Sequence, residues 1–151
     1  MLHYTITPRP NAHQWHIIFT FHHSENATQS IKLANWVAGS YMIRDFCKHI
    51  IHIQATCNGS PVPLTQISKN EWQTPAQSGD YQIEYTVYAN DLSVRASLLD
   101  NERGFIDGAC LFLCLPERRD EACQVQFNVL PEGWRIETTL RQPENQKNRF
   151  Q

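Results

Sequence analysis

The sequence lacks a long hydrophobic run, an excess of charge of one sign and a signal peptide. Among its 151 residues, no apolar stretch approaches the roughly 20 residues that a membrane-spanning helix needs. Thirteen Lys and Arg residues against fifteen Asp and Glu residues give a net charge of −2, without the basic surface typical of nucleic-acid-binding proteins. The first residues contain no basic region followed by an apolar one. We therefore expect a soluble, cytoplasmic protein that binds neither nucleic acid nor a membrane.

The five cysteines form no recognisable disulfide or metal-binding framework. Their number is odd, and the closest pair, Cys110 and Cys114, has three intervening residues rather than the two of a zinc ribbon. Cys57, Cys110, Cys114 and Cys123 lie in apolar or alternating segments, where a thiol behaves as a small hydrophobic side chain. We expect these cysteines to be buried and reduced.

Apolar and polar residues alternate along much of the chain. The clearest runs cover residues 15–21, 81–89 and 123–129, and each would place its apolar side chains on one face of a strand. Residues 110–115 are apolar on both faces and are interpreted as a central strand. Asn58-Gly59 between two apolar stretches predicts a hairpin turn. Helix is expected only as a turn or two, within residues 42–49 or 93–100.

This pattern predicts the fold class and the domain limits. We expect an all-β protein, an antiparallel β-sandwich of roughly eight to ten short strands with little helix. Residues 1–140 would form this sandwich. Residues 141–151 are polar and without periodicity, so we interpret them as a frayed end or as a linker toward a further domain.

The seven histidines do not have the spacing of a metal site. His13 and His16, like His49 and His52, are three residues apart, and an odd offset places two side chains on opposite faces of a strand. The sequence also has no His-Glu-x-x-His motif, no Cys-x-x-Cys motif, no nucleophile elbow and no phosphate-binding loop. We expect neither a metal ligand nor a catalytic residue within this chain.

Two segments depart from the alternation. In residues 36–46, a Gly-Ser-Tyr turn is followed by adjacent Arg and Asp residues, which would present a hydroxyl, a guanidinium and a carboxylate at one edge of the fold. The alternative is a structural corner in which Tyr41 bonds the backbone and Arg44 pairs with an acid. Residues 91–108 form a long connection whose Leu98, Leu99, Phe105 and Ile106 would bury apolar area. It is either a packed crossover or a surface for another domain or a ligand.

These segments carry a family resemblance. The blocks are Trp-x-x-Gly-Ser-Tyr-x-Ile-Arg-Asp-Phe at 36–46, Tyr-x-Val-Tyr-Ala-x-Asp-x-Ser-Val-Arg at 85–95, Gly-Phe-x-x-Gly at 104–108, Leu-Phe-Leu at 111–113 and Pro-x-Gly-Trp at 131–134. In this order they resemble the N-terminal domain of the glycyl aminopeptidase family of zinc metallopeptidases. One departure is Ala38, where the family usually has proline before Gly-Ser-Tyr.

The resemblance implies a non-catalytic β-sandwich that precedes a thermolysin-like catalytic domain. The zinc and its His-Glu-x-x-His motif would belong to that domain, which often precedes a PDZ domain. This chain would dock on the catalytic domain and help to shape a cleft for peptides with a small N-terminal residue, glycine or alanine. The expected partners are therefore the catalytic domain and the peptide substrate. Our candidates for cleft or interdomain contacts are Tyr41, Arg44, Asp45, Arg95 and Asp107.

A second hypothesis is a stand-alone binding module. Because β-sandwiches carry many unrelated functions, the fold does not exclude a carbohydrate- or peptide-binding domain. Its stacking platform would use the aromatic side chains of Trp36, Tyr41, Trp72 and Tyr88.

Overall fold

The computed structural model describes residues 1–93, 96–144 and 146–151. Its regular elements are β1 (Leu2–Arg9), β2 (Gln14–His23), β3 (Ser30–Leu33), β4 (Ile50–Cys57), β5 (Ser60–Val62), β6 (Thr65–Ser68), β7 (Glu71–Gln73), β8 (Gly79–Tyr88), β9 (Leu98–Leu99), β10 (Gly104–Phe105), α1 (Gly108–Leu111), β11 (Leu113–Cys114), β12 (Cys123–Phe127) and β13 (Arg149–Phe150). Single turns of 3₁₀ helix cover Pro10–Ala12, Phe46–His49 and Pro116–Arg118. The turn at Phe46–His49 confirms the helix expected within residues 42–49.

The strands form two larger sheets and one short hairpin. The seven-stranded sheet has the order β13-β12-β1-β2-β8-β4-β5, and the four-stranded sheet has the order β11-β3-β7-β6. Strands β9 and β10 form a short hairpin, and Leu98 of β9 also makes an isolated bridge to Asn90, beyond the end of β8. Neighbouring strands are antiparallel except β1 and β12, which are parallel. The architecture confirms an all-β fold with little helix, although the parallel pair was not expected.

The predicted alternation positions the core. Trp15, Ile17, Phe19 and Phe21 of β2 are all buried, and they share one hydrophobic cluster with side chains of β8 and of the four-stranded sheet. The register places Ile17 opposite Tyr85. Because successive side chains of a strand point to opposite faces, the polar residues of β2 lie on the wetter face. The Asn58-Gly59 turn, with φ values of 49° and 79°, joins β4 to β5 and confirms the predicted hairpin.

Two buried tyrosines connect the sheets. The Tyr85 hydroxyl donates a hydrogen bond to the carbonyl oxygen of Leu111 at 3.0 Å and accepts one from the Leu113 N–H at 3.3 Å. The Tyr4 hydroxyl donates to the carbonyl oxygen of Leu113 at 2.7 Å. Burial raises the pKa of both phenols far above the usual range, so both remain protonated donors.

The segment predicted as a central strand is instead a helical turn followed by an edge strand. Residues 108–111 form α1, and only Leu113–Cys114 pairs, at the edge of the four-stranded sheet. The Asp107 carboxylate accepts a hydrogen bond from the Ala109 N–H at 3.0 Å, which starts the helical turn. The prediction was wrong because an apolar run of this length is compatible with either structure.

The expectation for the cysteines is only partly correct. None of the five forms a disulfide: Cys57 and Cys110 are buried, Cys47 and Cys114 are partly buried, and Cys123 is exposed. Cys123 begins β12, opposite Leu2, where its side chain faces an open groove. Its burial was therefore predicted wrongly.

The polar segment 141–151 contains an edge strand. Phe150 of β13 pairs with Val125 and is buried, and the backbones of Arg141 and Gln151 exchange hydrogen bonds of 3.0 and 2.8 Å.

In the long connection at residues 91–108, Leu98 and Leu99 are buried as expected, whereas Phe105 is about half exposed at 47%. Within the described residues, no helix is long and apolar enough to cross a membrane.

Candidate functional site

The loop between β3 and the turn at Phe46–His49 is organised around the buried side chain of Ser40. The Trp36 indole N–H donates to the Ser40 carbonyl oxygen at 2.8 Å, and the Ser40 hydroxyl donates to the Met42 carbonyl oxygen at 3.0 Å. Gly39, with φ at 81°, supplies the left-handed conformation that the turn requires. The Gly-Ser-Tyr sequence therefore makes a turn that is anchored from inside by its serine.

This anchor leaves the next three side chains in solvent. Tyr41 is fully exposed, and Met42 and Ile43 have relative exposures of 62% and 65%. We call residues 41–43 the apolar tip, and the half-exposed Trp36 lies at its base. A contiguous exposed apolar surface of this kind typically marks a contact with another protein surface. The loop is a structural corner, but Ser40 and Trp36 bond its backbone, whereas the Tyr41 side chain projects into solvent.

Arg44 and Asp45 point to different partners. The Arg44 Nε donates to the Ser40 hydroxyl at 3.3 Å, so its guanidinium helps to hold the loop. The Asp45 carboxylate pairs with Lys69 Nζ at 3.3 Å; the Lys69 side chain is largely exposed and that of Asp45 about half exposed. A surface ion pair of this type contributes at most about 1 kcal/mol, so Asp45 remains available to another cation.

Parts of the two unusual segments meet in one cleft. It has a volume of about 230 Å³ and lies between Arg44, Asp45 and His49 on one side and Asp91 and Ser93 on the other. Burial lowers the pKa of His49, Lys48 lowers it further, and Asp91 opposes the change. The imidazole is therefore mainly neutral at pH 7. The cleft offers the cationic groups of Arg44 and Lys48, two carboxylates and a neutral imidazole, so the groups suited to a ligand's ammonium are the carboxylates of Asp45 and Asp91.

Sequence reasoning identified two of these cleft residues and missed the others. Arg44 and Asp45 were predicted, whereas His49 and Asp91 were not. His49 follows the Arg-Asp-Phe block by three residues, and Asp91 opens the second segment. Their positions within or beside the two segments were the available signal.

The other candidates lie elsewhere. The apolar tip, with Tyr41, is outside the cleft lining, and Asp107 is the N-cap of α1. Burial, followed by the charges of Asp107 and Asp91, raises the pKa of the Cys110 thiol to about 12. Arg95, with Val94, lies outside the described residues.

The part of the chain that the structure describes contains no group of three or more His, Cys, Asp or Glu side chains suited to a metal. The histidines have other contacts: His13 Nδ1 lies 2.6 Å from the Leu99 carbonyl oxygen, and His22 Nδ1 lies 2.7 Å from an Asp80 carboxylate oxygen.

Comparisons with known proteins agree with this architecture. A sequence model of the family described as peptidase M61 N-terminal domain matches residues 3–151. The crystal structure of an aminopeptidase N family protein from Idiomarina loihiensis is similar, with a TM-score of 0.91 and 36% sequence identity. That match covers 99% of this chain but only 26% of the other, so the chain spans about a quarter of that protein. A search of curated proteins found no match. The family match over nearly the whole length confirms the glycyl aminopeptidase resemblance: the chain belongs to the family of peptidase M61 N-terminal domains.

Proposed function

We propose that the chain is the non-catalytic N-terminal domain of a zinc-dependent aminopeptidase that removes glycine or alanine from the amino terminus of peptides. Two facts support a longer parent: the family is defined as an N-terminal domain, and the similar Idiomarina loihiensis protein is about four times as long as the matched region. The chain would dock on the catalytic domain and form part of the wall of the substrate cleft.

In this proposal the chemistry resides outside the 151 residues. A zinc ion in the catalytic domain would activate the attacking water. The residues of this chain would orient the substrate, limit the size of its first side chain and exclude solvent. The described residues offer no metal-binding cluster of their own.

The single observation that carries the docking role is the apolar tip. Three consecutive side chains, Tyr41, Met42 and Ile43, project into solvent from a turn that Ser40 holds in place. Exposure of a fixed apolar projection to water is unfavourable, and its burial under a neighbouring domain lowers the free energy. Arg44, which is tied to the same serine, would act as an interdomain clamp through its remaining N–H donors.

Substrate recognition would involve the cleft beside the tip. An aminopeptidase must hold the α-ammonium group of its substrate, and the exposed carboxylates of Asp45 and Asp91 are suited to that charge. Asp107 is a weaker candidate, because its carboxylate already caps α1. Arg95 remains a candidate from the sequence alone.

A stand-alone binding module is the alternative. Trp36 and Tyr41 are exposed on the same loop and favour it, and Tyr88 is 41% exposed. Trp72 is buried in the core, so its predicted place in a stacking platform was wrong. Titration of the chain with immobilised glycans and peptides would detect such a module. The proposed domain should give a flat response in both titrations.

The decisive experiment uses the native product in its source cells. Immunoblotting should show a band several times heavier than a 151-residue chain, and the purified product should contain zinc and hydrolyse glycine p-nitroanilide.

The docking role of the apolar tip is tested in this parent. Ile43→Asp should split a single calorimetric unfolding transition into two, whereas Ile67→Asp, at a similarly exposed aliphatic residue on β6, should not. A native product of only 151 residues would refute the proposed function.

A further inference from the structure

A second feature, distant in sequence from the apolar tip, is a deep apolar groove on the seven-stranded sheet. It has a volume of about 570 Å³ and lies between that sheet, the residues around α1 and residues 130–140. Its lining is mainly hydrophobic and includes Tyr4, Trp15, Phe112, Val125, Ile136 and Leu140. A groove of this size and character is typical of a binding site rather than of a packing defect.

The groove contains a buried hydrogen-bond donor without an acceptor. Trp15 is 3% exposed, and its indole Nε1–H has no hydrogen-bond partner among the described residues. An unpaired buried donor costs about 1–3 kcal/mol, and buried indole N–H groups normally have a partner. Trp15 lines the groove, so an occupant of the groove would lie against the ring that carries this donor.

One wall of the groove has free backbone groups. Within the described chain, residues 135–139 neither donate nor accept a backbone hydrogen bond. Trp134 and Ile136 are partly buried, whereas Arg135, Glu137 and Thr138 are exposed, and all five residues line the groove. A wall of this kind can pair with an added strand, as in peptide recognition by β-augmentation.

We propose that the groove receives an extended apolar segment of the parent chain that follows Gln151. This segment would pair with the backbone of residues 135–139 and place a carbonyl oxygen near the Trp15 indole. About five residues would suffice, because the wall that they would pair with, residues 135–139, is five residues long. The groove would thereby fix this domain to the following one.

The position of the last residues supports this occupant. Phe150 lines the groove, and the backbone of Gln151 is bonded to Arg141 beside it. Any residues that follow Gln151 therefore begin at the edge of the groove, and an adjacent segment pays little loop-closure entropy to enter it. The inference rests on the proposed function only in requiring a longer parent.

Hydrogen exchange provides the first test. The backbone amides of residues 135–139 should exchange rapidly in the 151-residue chain and at least about tenfold more slowly in the parent. Cys123 provides an independent probe, because its exposed thiol lines the same groove. Its labelling by a maleimide, followed by mass spectrometry of the Cys123 peptide, should slow by a similar factor in the parent. Equal rates in both proteins would overturn the inference.

A pair of variants of the parent separates groove filling from general stability. Leu140 is 46% exposed and lines the groove, whereas Ile67 is 50% exposed on the other sheet. Leu140→Asp should restore rapid labelling of Cys123, and Ile67→Asp should not. If both variants or neither restore labelling, the segment does not occupy the groove. Labelling of the 151-residue chain that slows as its own concentration rises would show a second copy as the occupant and contradict the proposal.

These results are independent of the catalytic assay. Unprotected amides in a parent that contains zinc and cleaves glycine p-nitroanilide would reject the groove occupant and leave the proposed function intact. Protected amides in a parent that lacks this activity would support the groove occupant and reject the proposed catalysis.

Discussion

The Tyr4 hydroxyl and the carbonyl oxygen of Leu113 are joined by a 2.7 Å hydrogen bond across the core, between a strand of the larger sheet and an edge strand of the smaller one. Tyr4→Phe removes the donor and keeps the ring that stacks on Phe19 at 4.5 Å. We expect a loss of about 1–2 kcal/mol in the free energy of unfolding, measured by urea denaturation. Tyr88→Phe, at a half-exposed site, is the control and should change stability by less than about 0.5 kcal/mol.

The cap of α1 gives a second prediction. Asp107→Ala removes the carboxylate that accepts the Ala109 N–H and should destabilise the 151-residue chain by about 1 kcal/mol. Asp107→Asn retains an acceptor oxygen and should cost clearly less. The same two variants of the parent separate the role of Asp107 as the N-cap of α1 from a role in binding substrate. If its negative charge contacts the substrate, Asp107→Asn should lower kcat/KM as much as Asp107→Ala does.

Two glycines that line the groove should respond differently to a methyl group. A Cβ at Gly104 would lie 2.8 Å from two carbons of the buried Trp15 ring, whereas at Gly108 the nearest atom, of Phe112, is 3.4 Å away. Gly104→Ala should therefore cost about 1–3 kcal/mol through overpacking. Gly108→Ala should be neutral or slightly stabilising, because alanine favours helix. Thermal unfolding of both variants measures the difference, and equal melting temperatures would contradict the tight Trp15 contact.

Glu121 should make a pH-dependent contribution to stability. Arg118, followed by the amino terminus, lowers the pKa of its carboxyl to about 2. Since the folded pKa is below the unfolded value, this stabilisation is present above about pH 4.5 and is lost as the pH falls toward 2. Because the group is near the surface, Glu121→Gln should cost less than about 1 kcal/mol at pH 7. Urea denaturation at a series of pH values from 7 downward should show the free energies of unfolding of the wild type and Glu121→Gln becoming equal. A difference that stays constant with pH would contradict the lowered pKa of Glu121.

The thiols should differ strongly in reactivity. Burial is the main cause that raises the pKa of Cys110 to about 12, so at pH 8 its thiolate fraction is on the order of 10⁻⁴. Cys123 is exposed and should react first with Ellman's reagent. Cys123→Ser should remove the fast phase, and denaturant should be needed to release Cys110. A fast phase that persists in Cys123→Ser would show that another thiol is accessible.

The core strands were predictable because alternation is a local signal. The residues that alternate in β2 and β8 are the ones that the structure buries, and the hairpin at Asn58-Gly59 follows from the conformations these two residues tolerate. Strand partners depend on long-range packing, so the parallel pairing of β1 with β12 had no local signature. The edge strand β13 could not be predicted, because Phe150 is a single apolar residue in a polar segment and gives no alternating pattern.

The candidate site could be predicted only in part. The Gly-Ser-Tyr turn and the adjacent Arg44 and Asp45 stand out in the sequence, and both charged residues line the cleft. Asp91 lies about 45 residues farther along the chain, and only the tertiary fold brings it to the same cleft. The apolar groove was also beyond sequence reasoning, since its lining comes from β1, β2, β12 and residues 130–140.

The parallel pairing of β1 with β12 determines when this domain can be completed during synthesis. Leu2 lies opposite Cys123, so β1 cannot form this pairing until β12, about 120 residues farther along the chain, has been synthesised. Until β12 leaves the ribosome, β1 has one unpaired edge and can join another nascent chain. Chaperone binding to the emerging chain should therefore persist until residues 123–127 are exposed, and a nascent chain stopped at residue 120 should aggregate more readily than the finished domain.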